Sequence, residues 1–218
     1  MRIGIPGSGL MGGKLGTIFA LAGHDVVFSY SRDVRKLERL AQDAGAHSRA
    51  GTPRDAVKES DVVLLAVHWS RVDDVLRQAG DVSGSIIITC SVPMNNDDTA
   101  LVVAHTSSGA EELARKVPDA RIVSALGTVP SEVLFGVFAA RASDVRPGMV
   151  YCGDDAHAKE IAATVIRDVG FDPVDAGPLR IARYLEPFTL LMGQMAYEGE
   201  GGAALAYRFE HFEELVRP

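Results

Sequence analysis

The glycine-rich segment near the start of the chain constrains its fold more than any other feature. Gly7, Gly9 and Gly12 fit the pattern G-x-G-x-x-G, between an apolar strand-like run and an apolar helix-like segment. In this pattern the glycines permit a tight turn, close approach of backbone N–H groups to a phosphate, and close packing of the helix on the sheet. The helix N-terminus adds the positive end of its dipole. The segment therefore predicts a dinucleotide site formed by Gly7, Ser8, Gly9, Leu10, Met11 and Gly12.

Short β-branched runs alternate with helix-like segments over the first part of the chain. The predicted strands are Ile3–Ile5, Val26–Tyr30, Val62–Val67, Ser85–Cys90 and Arg121–Ala125, and the predicted helices are Gly12–Ala22, Val34–Ala44, Ser70–Ala79 and Ala110–Lys116. This alternation is typical of a parallel sheet with crossover helices. Further along, we expect strands at Met149–Cys152 and Pro173–Asp175 and helices at Ala156–Val169 and Leu179–Tyr197.

These patterns predict an α/β fold in two parts. Residues 1–125 are expected to form a Rossmann-type, doubly wound parallel sheet that binds the dinucleotide. Residues 126–218 are expected to form a small C-terminal α/β domain that closes a cleft over the bound molecules.

The end of the second predicted strand indicates which dinucleotide is bound. NAD sites usually carry Asp or Glu there to hold the ribose 2′-hydroxyl, but this chain has Ser31 and Arg32. Ser31 can donate a hydrogen bond to a 2′-phosphate, Arg32 can pair with it, and Lys36 follows in the first turn of the next helix. Asp33 is expected to cap that helix. The prediction is NADP(H).

Ligands of this architecture bind at the loops that follow the carboxyl ends of the strands. The remaining candidate contacts are therefore Val67, His68, Trp69, Ser91, Val92, Pro93, Leu126, Gly127, Thr128, Val129 and Pro130. After Leu126 the chain contains one lysine, Lys159, which argues against a carbonyl reductase with a proton-donating side chain. Hydride transfer between two flat rings mainly requires their alignment. We predict no catalytic side chain and no metal site.

Two polar residues in these regions have structural interpretations. His68 is expected to edge the nicotinamide pocket, and Glu186, inside an apolar helix, is expected to pair with Arg180 or Arg183.

Charge and hydropathy narrow the range of partners. The 218 residues carry a formal net charge of −7, with Lys and Arg scattered along the chain, which argues against binding to nucleic acid. The N-terminus lacks a secretory pattern and no apolar run is long enough to cross a membrane, so a cytoplasmic protein without membrane attachment is expected. Cys90 and Cys152 lie in apolar runs and are expected to be inert core thiols.

The chain resembles the NADPH:F420 oxidoreductases, also called F420-dependent NADP reductases. The resemblance rests on the glycine loop with Ser31-Arg32 and on three later segments, VSALGTVPSEVL (Val123–Leu134), YCGDD (Tyr151–Asp155) and DAGPLRIARYLEPFTLLM (Asp175–Met192). It implies a deazaflavin coenzyme, F420, lying against the nicotinamide in a cleft between two domains, commonly in a homodimer. It also implies that Ser31, Arg32 and Lys36 contact the 2′-phosphate. Where family members carry a histidine after Ser-Ala-Leu, this chain has Gly127.

Other functions stay open at this point. The hydride acceptor could be another small flat molecule, a flavin or a quinone, and the departure at Gly127 supports this alternative. A protein that binds NADP(H) without turning it over, as a sensor, is consistent with the scarcity of acids and bases. β-Hydroxyacid dehydrogenases resemble the N-terminal half but need a larger helical domain and a catalytic lysine. The apolar residues of the last helix (Leu179, Ala182, Leu185, Leu190, Leu191 and Met195) fit either core packing or a homodimer interface.

Overall fold

The computed structural model describes residues 1–58 and 60–211. Within them, the strands β1–β8 are Arg2–Pro6, Asp25–Ser29, Ser48–Ala50, Val62–Leu65, Ile86–Thr89, Arg121–Ser124, Gly148–Gly153 and Asp172–Asp175. The helices α1–α8 are Leu10–Leu21, Val34–Ala44, Pro53–Lys58, Val72–Ala79, Gly109–Lys116, Leu134–Ala139, Ala156–Val169 and Ala182–Tyr197. Short 3₁₀ turns precede α4, α6 and α8.

The strands form one eight-stranded sheet in the order β3-β2-β1-β4-β5-β6-β7-β8. All neighbours from β3 to β6 are parallel, and the order reverses direction between β1 and β4. β7 pairs with β6 in antiparallel fashion, and β8 is parallel to β7. The predicted fold class, a Rossmann-type doubly wound sheet, is confirmed.

Helices cover both faces of the sheet because successive strand residues point to opposite sides. In β5, Ile86 and Ile88 pack into one apolar cluster, with α1, α2, α6 and α7, whereas Ile87 packs into the other, with α3, α4, α5 and α8. The longest helix, α8, has 16 residues. In the part of the chain that the structure describes, no helix is long and apolar enough to cross a membrane.

Several features depart from the pattern expected from the sequence. β3, α3 and α6 were not expected, and the antiparallel direction of β7 has no counterpart in the prediction. The predicted last helix begins as a 3₁₀ turn at Leu179–Ile181 and becomes α-helical at Ala182. The predicted boundary at residue 125 falls just after β6, and the sheet continues across it. The two-domain division therefore stays a prediction, and its residues 212–218 lie outside the described residues.

The segment after α8 returns to the sheet through Tyr207. Its carbonyl oxygen accepts the Gly148 N–H at 2.7 Å, and its hydroxyl accepts the Val150 N–H at 3.0 Å. The same hydroxyl lies 2.7 Å from Thr128 Oγ1, and its ring packs edge-on against Phe188 of α8, with centroids 5.0 Å apart. Tyr207 thus joins β7, α8 and the loop after β6.

Replacing Tyr207 with Phe should lower the free energy of unfolding by about 1–3 kcal/mol, because the Val150 N–H is left buried without its acceptor. Urea denaturation measures this loss. Tyr184→Phe is the matched control, since the Tyr184 side chain is exposed. An equal effect of the two substitutions would show that the Tyr207 hydroxyl does not anchor the segment.

Candidate functional site

The glycine loop between β1 and α1 is packed too closely for side chains at two positions. Gly7 has a φ of +136°, and a Cβ there would lie 2.1 Å from the carbonyl oxygen of Ala66, just after β4. At Gly12, a Cβ would lie 2.0 Å from the Gly7 carbonyl oxygen. Only glycine therefore allows α1 to begin this close to the sheet. These are the turn and packing roles that the motif predicts.

Gly9 is different, because open space surrounds the position that its Cβ would occupy. No heavy atom lies within 4 Å of that point. Gly9 precedes α1, whose start has no capping side chain and no acidic residue in the first turn. The first N–H groups of α1 and the positive end of its dipole therefore face a space that the protein's own packing leaves free, as an anion site requires.

The residues that follow β2 include two cations, Arg32 and Lys36, that have no carboxylate partner among the described residues. Asp33 caps α2, as predicted, by accepting the Arg35 N–H at 3.0 Å, and its carboxylate also lies 3.9 Å from Arg39 Nη2. Arg32 and Lys36 are exposed, and within residues 1–58 and 60–211 neither forms an ion pair. The Ser31 hydroxyl accepts the Asp33 N–H at 3.1 Å, which leaves its proton free to donate.

Tyr30 bends the chain between β2 and these cations. Its φ of +63° is unusual for a residue with a side chain. Its hydroxyl donates to Asp74 Oδ2 at 2.7 Å, and its carbonyl oxygen accepts the Ser8 hydroxyl at 3.2 Å. Burial and the bond to Asp74 raise the pKa of Tyr30, although the nearby guanidinium groups of Arg71 and Arg32 act in the opposite direction. Sequence reasoning missed Arg71, a further cation beside this corner.

A cavity of about 590 Å³ opens next to Gly9, at the carboxyl ends of β1, β4, β5 and β6. Its lining includes the predicted residues Gly9, Leu10, Met11, Val67, His68, Val92, Gly127, Thr128, Val129 and Pro130. The opposite wall comes from α8, through Thr189, Leu190, Met192, Gly193, Gln194 and Tyr197. This volume suits a small planar ligand. The contribution of α8 to the site was not predicted, although its excess of apolar residues was the available signal.

Four predicted contacts, Trp69, Ser91, Pro93 and Leu126, are not among the residues that line the cavity. The Ser91 hydroxyl donates to the Leu65 carbonyl oxygen at 3.2 Å and accepts the Val67 N–H at 3.2 Å, so it joins the ends of β4 and β5. Leu126 is fully buried, with a φ of +63°. These residues shape the loops that line the cavity, and their contact with a cofactor stays a prediction.

His68 edges the cavity and uses both ring nitrogens within the protein. Its Nδ1 accepts the Ser70 N–H at 3.2 Å, and its Nε2 lies 3.1 Å from the Asn95 carbonyl oxygen and 3.3 Å from Asp98 Oδ1. The first contact caps the turn before α4, and the others hold the segment after β5 at the cavity rim. His68 therefore holds the cavity walls together, and its place beside a nicotinamide stays a prediction.

The described lining of the cavity is apolar with an acidic rim. It contains Asp97, Asp98 and Glu198 but no lysine or arginine. Lys14 does not line the cavity but contacts Ser131, which does, with its Nζ 3.0 Å from both the carbonyl and hydroxyl oxygens of Ser131. Burial raises the pKa of the Cys90 thiol to about 12, so this thiol in the wall stays protonated and is no nucleophile.

Glu186 does not pair with Arg180 or Arg183, contrary to the prediction. Its two carboxylate oxygens accept the N–H groups of Gly109 and Ala110 at 2.8 and 3.0 Å, at the start of α5. Arg183 instead binds Glu111 through two hydrogen bonds. Burial raises the pKa of Glu186 to about 7, against the opposing effect of the two backbone donors.

Comparison with protein families supplies independent information about the first part of the chain. The model of the family described as NADP oxidoreductase, coenzyme F420-dependent, matches residues 2–93. The resemblance to the F420-dependent NADP oxidoreductases is confirmed. The matched residues run from β1 through the glycine loop and the Ser31-Arg32 corner to the loop after β5.

Similar proteins and structures extend the comparison to most of the chain. The rat protein named metalloreductase STEAP3 is 27% identical over 189 residues, which are 87% of this chain and 36% of that protein, so the chain spans about a third of its relative. A candidate F420-dependent NADP reductase from Arthrobacter sp. FB24 superposes with a TM-score of 0.84 at 21% identity, over 97% of this chain and 100% of that one. A reductive aminase from Aspergillus terreus, in complex with NADPH, gives 0.65 at 20% identity, over 88% of this chain and 61% of that one. These two structures establish the shared fold.

Replacing Arg32 with Ala should weaken NADPH binding by about 1.5–3 kcal/mol and leave NADH binding nearly unchanged, because NADH lacks the 2′-phosphate. Fluorescence titration of each nucleotide measures both affinities. Arg35→Ala is the matched control, since Arg35 contacts Asp33 and lies in the first turn of α2, three residues after Arg32. Equal weakening of NADPH and NADH by Arg32→Ala would contradict the assignment of this corner.

Proposed function

We propose that the protein binds NADP(H) and transfers a hydride between its nicotinamide and the deazaflavin ring of coenzyme F420. The observation that carries the proposal is a continuous arrangement at one edge of the sheet. An open anion cradle at Gly9 borders an apolar cavity of about 590 Å³. Ser8, the neighbour of Gly9, bonds to Tyr30. Tyr30 is followed by Arg32 and Lys36, two cations without an ion pair among the described residues. The arrangement suits a molecule with a pyrophosphate in the middle, a phosphorylated ribose at one end and a flat ring at the other.

The choice of NADP(H) over NAD(H) follows from charge. A carboxylate at the end of β2 would repel a 2′-phosphate, and the one acid there, Asp33, is bonded to the Arg35 N–H and directed to Arg35 and Arg39. Arg32 is therefore free to form a charge-assisted hydrogen bond with the phosphate. The description of the matched family, an NADP oxidoreductase, supports the same choice.

The chemistry assigned to the cavity needs alignment more than acid or base groups. When bound, the nicotinamide supplies a hydride to a second ring stacked on it. The apolar side chains of Met11, Val92, Val129 and Met192 are suited to hold two flat rings together and to exclude water. His68 and Cys90 are consistent with a reaction in which neither acts as an acid, base or nucleophile. Both ring nitrogens of His68 are bonded within the protein, and the Cys90 thiol stays protonated.

A second candidate acceptor, a flavin or quinone without an anionic tail, is favoured by the charge of the cavity. F420 carries an acidic tail, and the described lining offers three carboxylates and no lysine or arginine to receive it. Gly127 also replaces the histidine that the family resemblance leads us to expect. Binding of NADP(H) without turnover, as in a sensor, is the remaining alternative.

The rate of NADPH oxidation with a panel of acceptors tests the proposal. The panel contains F420, riboflavin, FMN, a neutral benzoquinone and no acceptor. Turnover with F420 well above the others supports the deazaflavin reaction. Riboflavin exceeding FMN in kcat/KM by about threefold or more, with the gap closing at high salt, supports the uncharged acceptor, because FMN differs by its phosphate. Tight NADPH binding with no oxidation by any acceptor would contradict hydride transfer and leave the sensor.

We also propose that the chain forms a homodimer through α8. Tyr184, Leu191 and Met195 have exposed fractions of 65%, 53% and 50%, and their spacing of seven and four residues aligns them along one helix face. An apolar stripe of this kind is typical of an association surface.

Leu191→Asp should shift the assembly from a dimer to a monomer, weakening association by about tenfold or more because a charge enters the apolar stripe. Light scattering during size-exclusion chromatography gives the mass at several concentrations. Leu21→Asp is the control, since Leu21 is equally apolar and 59% exposed but lies at the end of α1. A wild-type protein that is monomeric throughout would contradict the dimer.

A further inference from the structure

We propose that Glu186 exchanges a proton with the hydride acceptor through a water-sized cavity that borders both this carboxyl group and the wall of the acceptor site. The proposal rests on the proposed function, because it concerns the proton that accompanies the hydride. Reduction of a flat two-electron acceptor requires one hydride and one proton. The carboxylates that line the large cavity, Asp97, Asp98 and Glu198, are exposed, whereas Glu186 is buried and lines a small cavity beside it.

The small cavity lies directly against Glu186. Its volume is about 10 Å³, which is room for one water molecule. Five of its lining residues carry hydroxyl groups: Thr89, Ser91, Ser124, Thr128 and Thr189. The hydroxyls of Ser91, Thr128 and Thr189 also bond to Leu65, Tyr207 and Leu185, respectively. A water molecule held there would have the Glu186 carboxyl group and hydroxyl oxygens of this lining as hydrogen-bond partners, as a relay requires.

The small cavity and the large one share a wall. Cys90, Val92, Gly127, Thr128 and Thr189 line both. A Cβ on Gly127 would lie 3.5 Å from the Cys90 carbonyl oxygen and 3.6 Å from Val92 Cγ2, which is ordinary contact. A side chain at position 127 would therefore start in the wall that the two cavities share.

The surroundings of Glu186 leave its carboxyl group able to change protonation near neutral pH. The Gly109 and Ala110 N–H groups favour the charged form, whereas burial and the nearby Glu111 carboxylate raise the pKa, to about 7. Glu111 is itself paired with Arg183. Burial raises the pKa of Cys90, which lines the small cavity, and of Cys152, which lies near Glu186, to about 12, so both thiols stay neutral.

The proton balance of the step is complete. During acceptor reduction, the O–H bond of Glu186 breaks as its proton passes to the water, and that water gives a proton to the acceptor. The hydride leaves NADPH, which is oxidised to NADP⁺, and the acceptor is reduced by two electrons. The Glu186 carboxylate then regains a proton from solvent. In the opposite direction the carboxylate receives the proton.

Glu186→Gln and Glu111→Gln test the relay together, with the fastest acceptor found for the wild type. In the direction of NADPH oxidation, wild-type kcat should fall as pH rises through about 7, because the protonated form of Glu186 is the donor. In Glu186→Gln this fall should disappear and kcat should drop by about tenfold or more. Glu111→Gln leaves Glu186 in place and removes a neighbouring negative charge, so the fall should move to lower pH.

A second readout does not depend on turnover. Infrared difference spectra between acidic and alkaline pH should contain a protonated-carboxyl band that titrates near neutral pH in the wild type and is missing from Glu186→Gln. An unchanged pH profile in both variants, or the same band in Glu186→Gln, would overturn the relay while leaving hydride transfer intact. If the wild-type protein fails to oxidise NADPH with any of the acceptors in the panel, the proposed function is overturned, and the relay with it.

Discussion

The arrangement of the whole site depends on one steric constraint, the contact of the β1–α1 turn with the loop after β4. No side chain fits at Gly7 or Gly12, where a Cβ would lie about 2 Å from a carbonyl oxygen. This close packing fixes the start of α1 at the carboxyl edge of the sheet, with its free N–H groups directed into the open space beside Gly9. The cation corner and the apolar cavity take their positions from that point, on either side of it.

Two strained bends extend this arrangement. Tyr30 and Leu126 both have φ near +63°, and each follows a strand whose next residues contribute to the site. Residues with side chains adopt such angles at a cost that surrounding contacts must offset, and they often occur at functional sites. Here the Tyr30 bond to Asp74 and the complete burial of Leu126 supply those contacts. One bend directs Ser31 and Arg32 outward, and the other directs Gly127 toward the cavity.

Local patterns predict the elements of this fold better than its long-range contacts. The β-branched runs identify β1, β2, β4, β5 and β6, because buried parallel strands need continuous apolar residues. β3 was missed because Ser48–Ala50 is short and partly polar, and the direction of β7 has no sequence signature. The predicted partner of Glu186 was incorrect for a related reason, because the contact that Glu186 makes is also long-range. Arg183 is near it in sequence, whereas its actual partners, at the start of α5, are 76 and 77 residues away.

The central claim is that one edge of the sheet holds NADP(H) from its 2′-phosphate to its nicotinamide. A crystal structure of the protein with NADP⁺ tests this most directly. We expect the pyrophosphate at the start of α1 beside Gly9, the 2′-phosphate against Ser31 and Arg32, and the nicotinamide inside the cavity near Val129. A 2′-phosphate remote from Arg32, or a nicotinamide outside the cavity, would contradict the account.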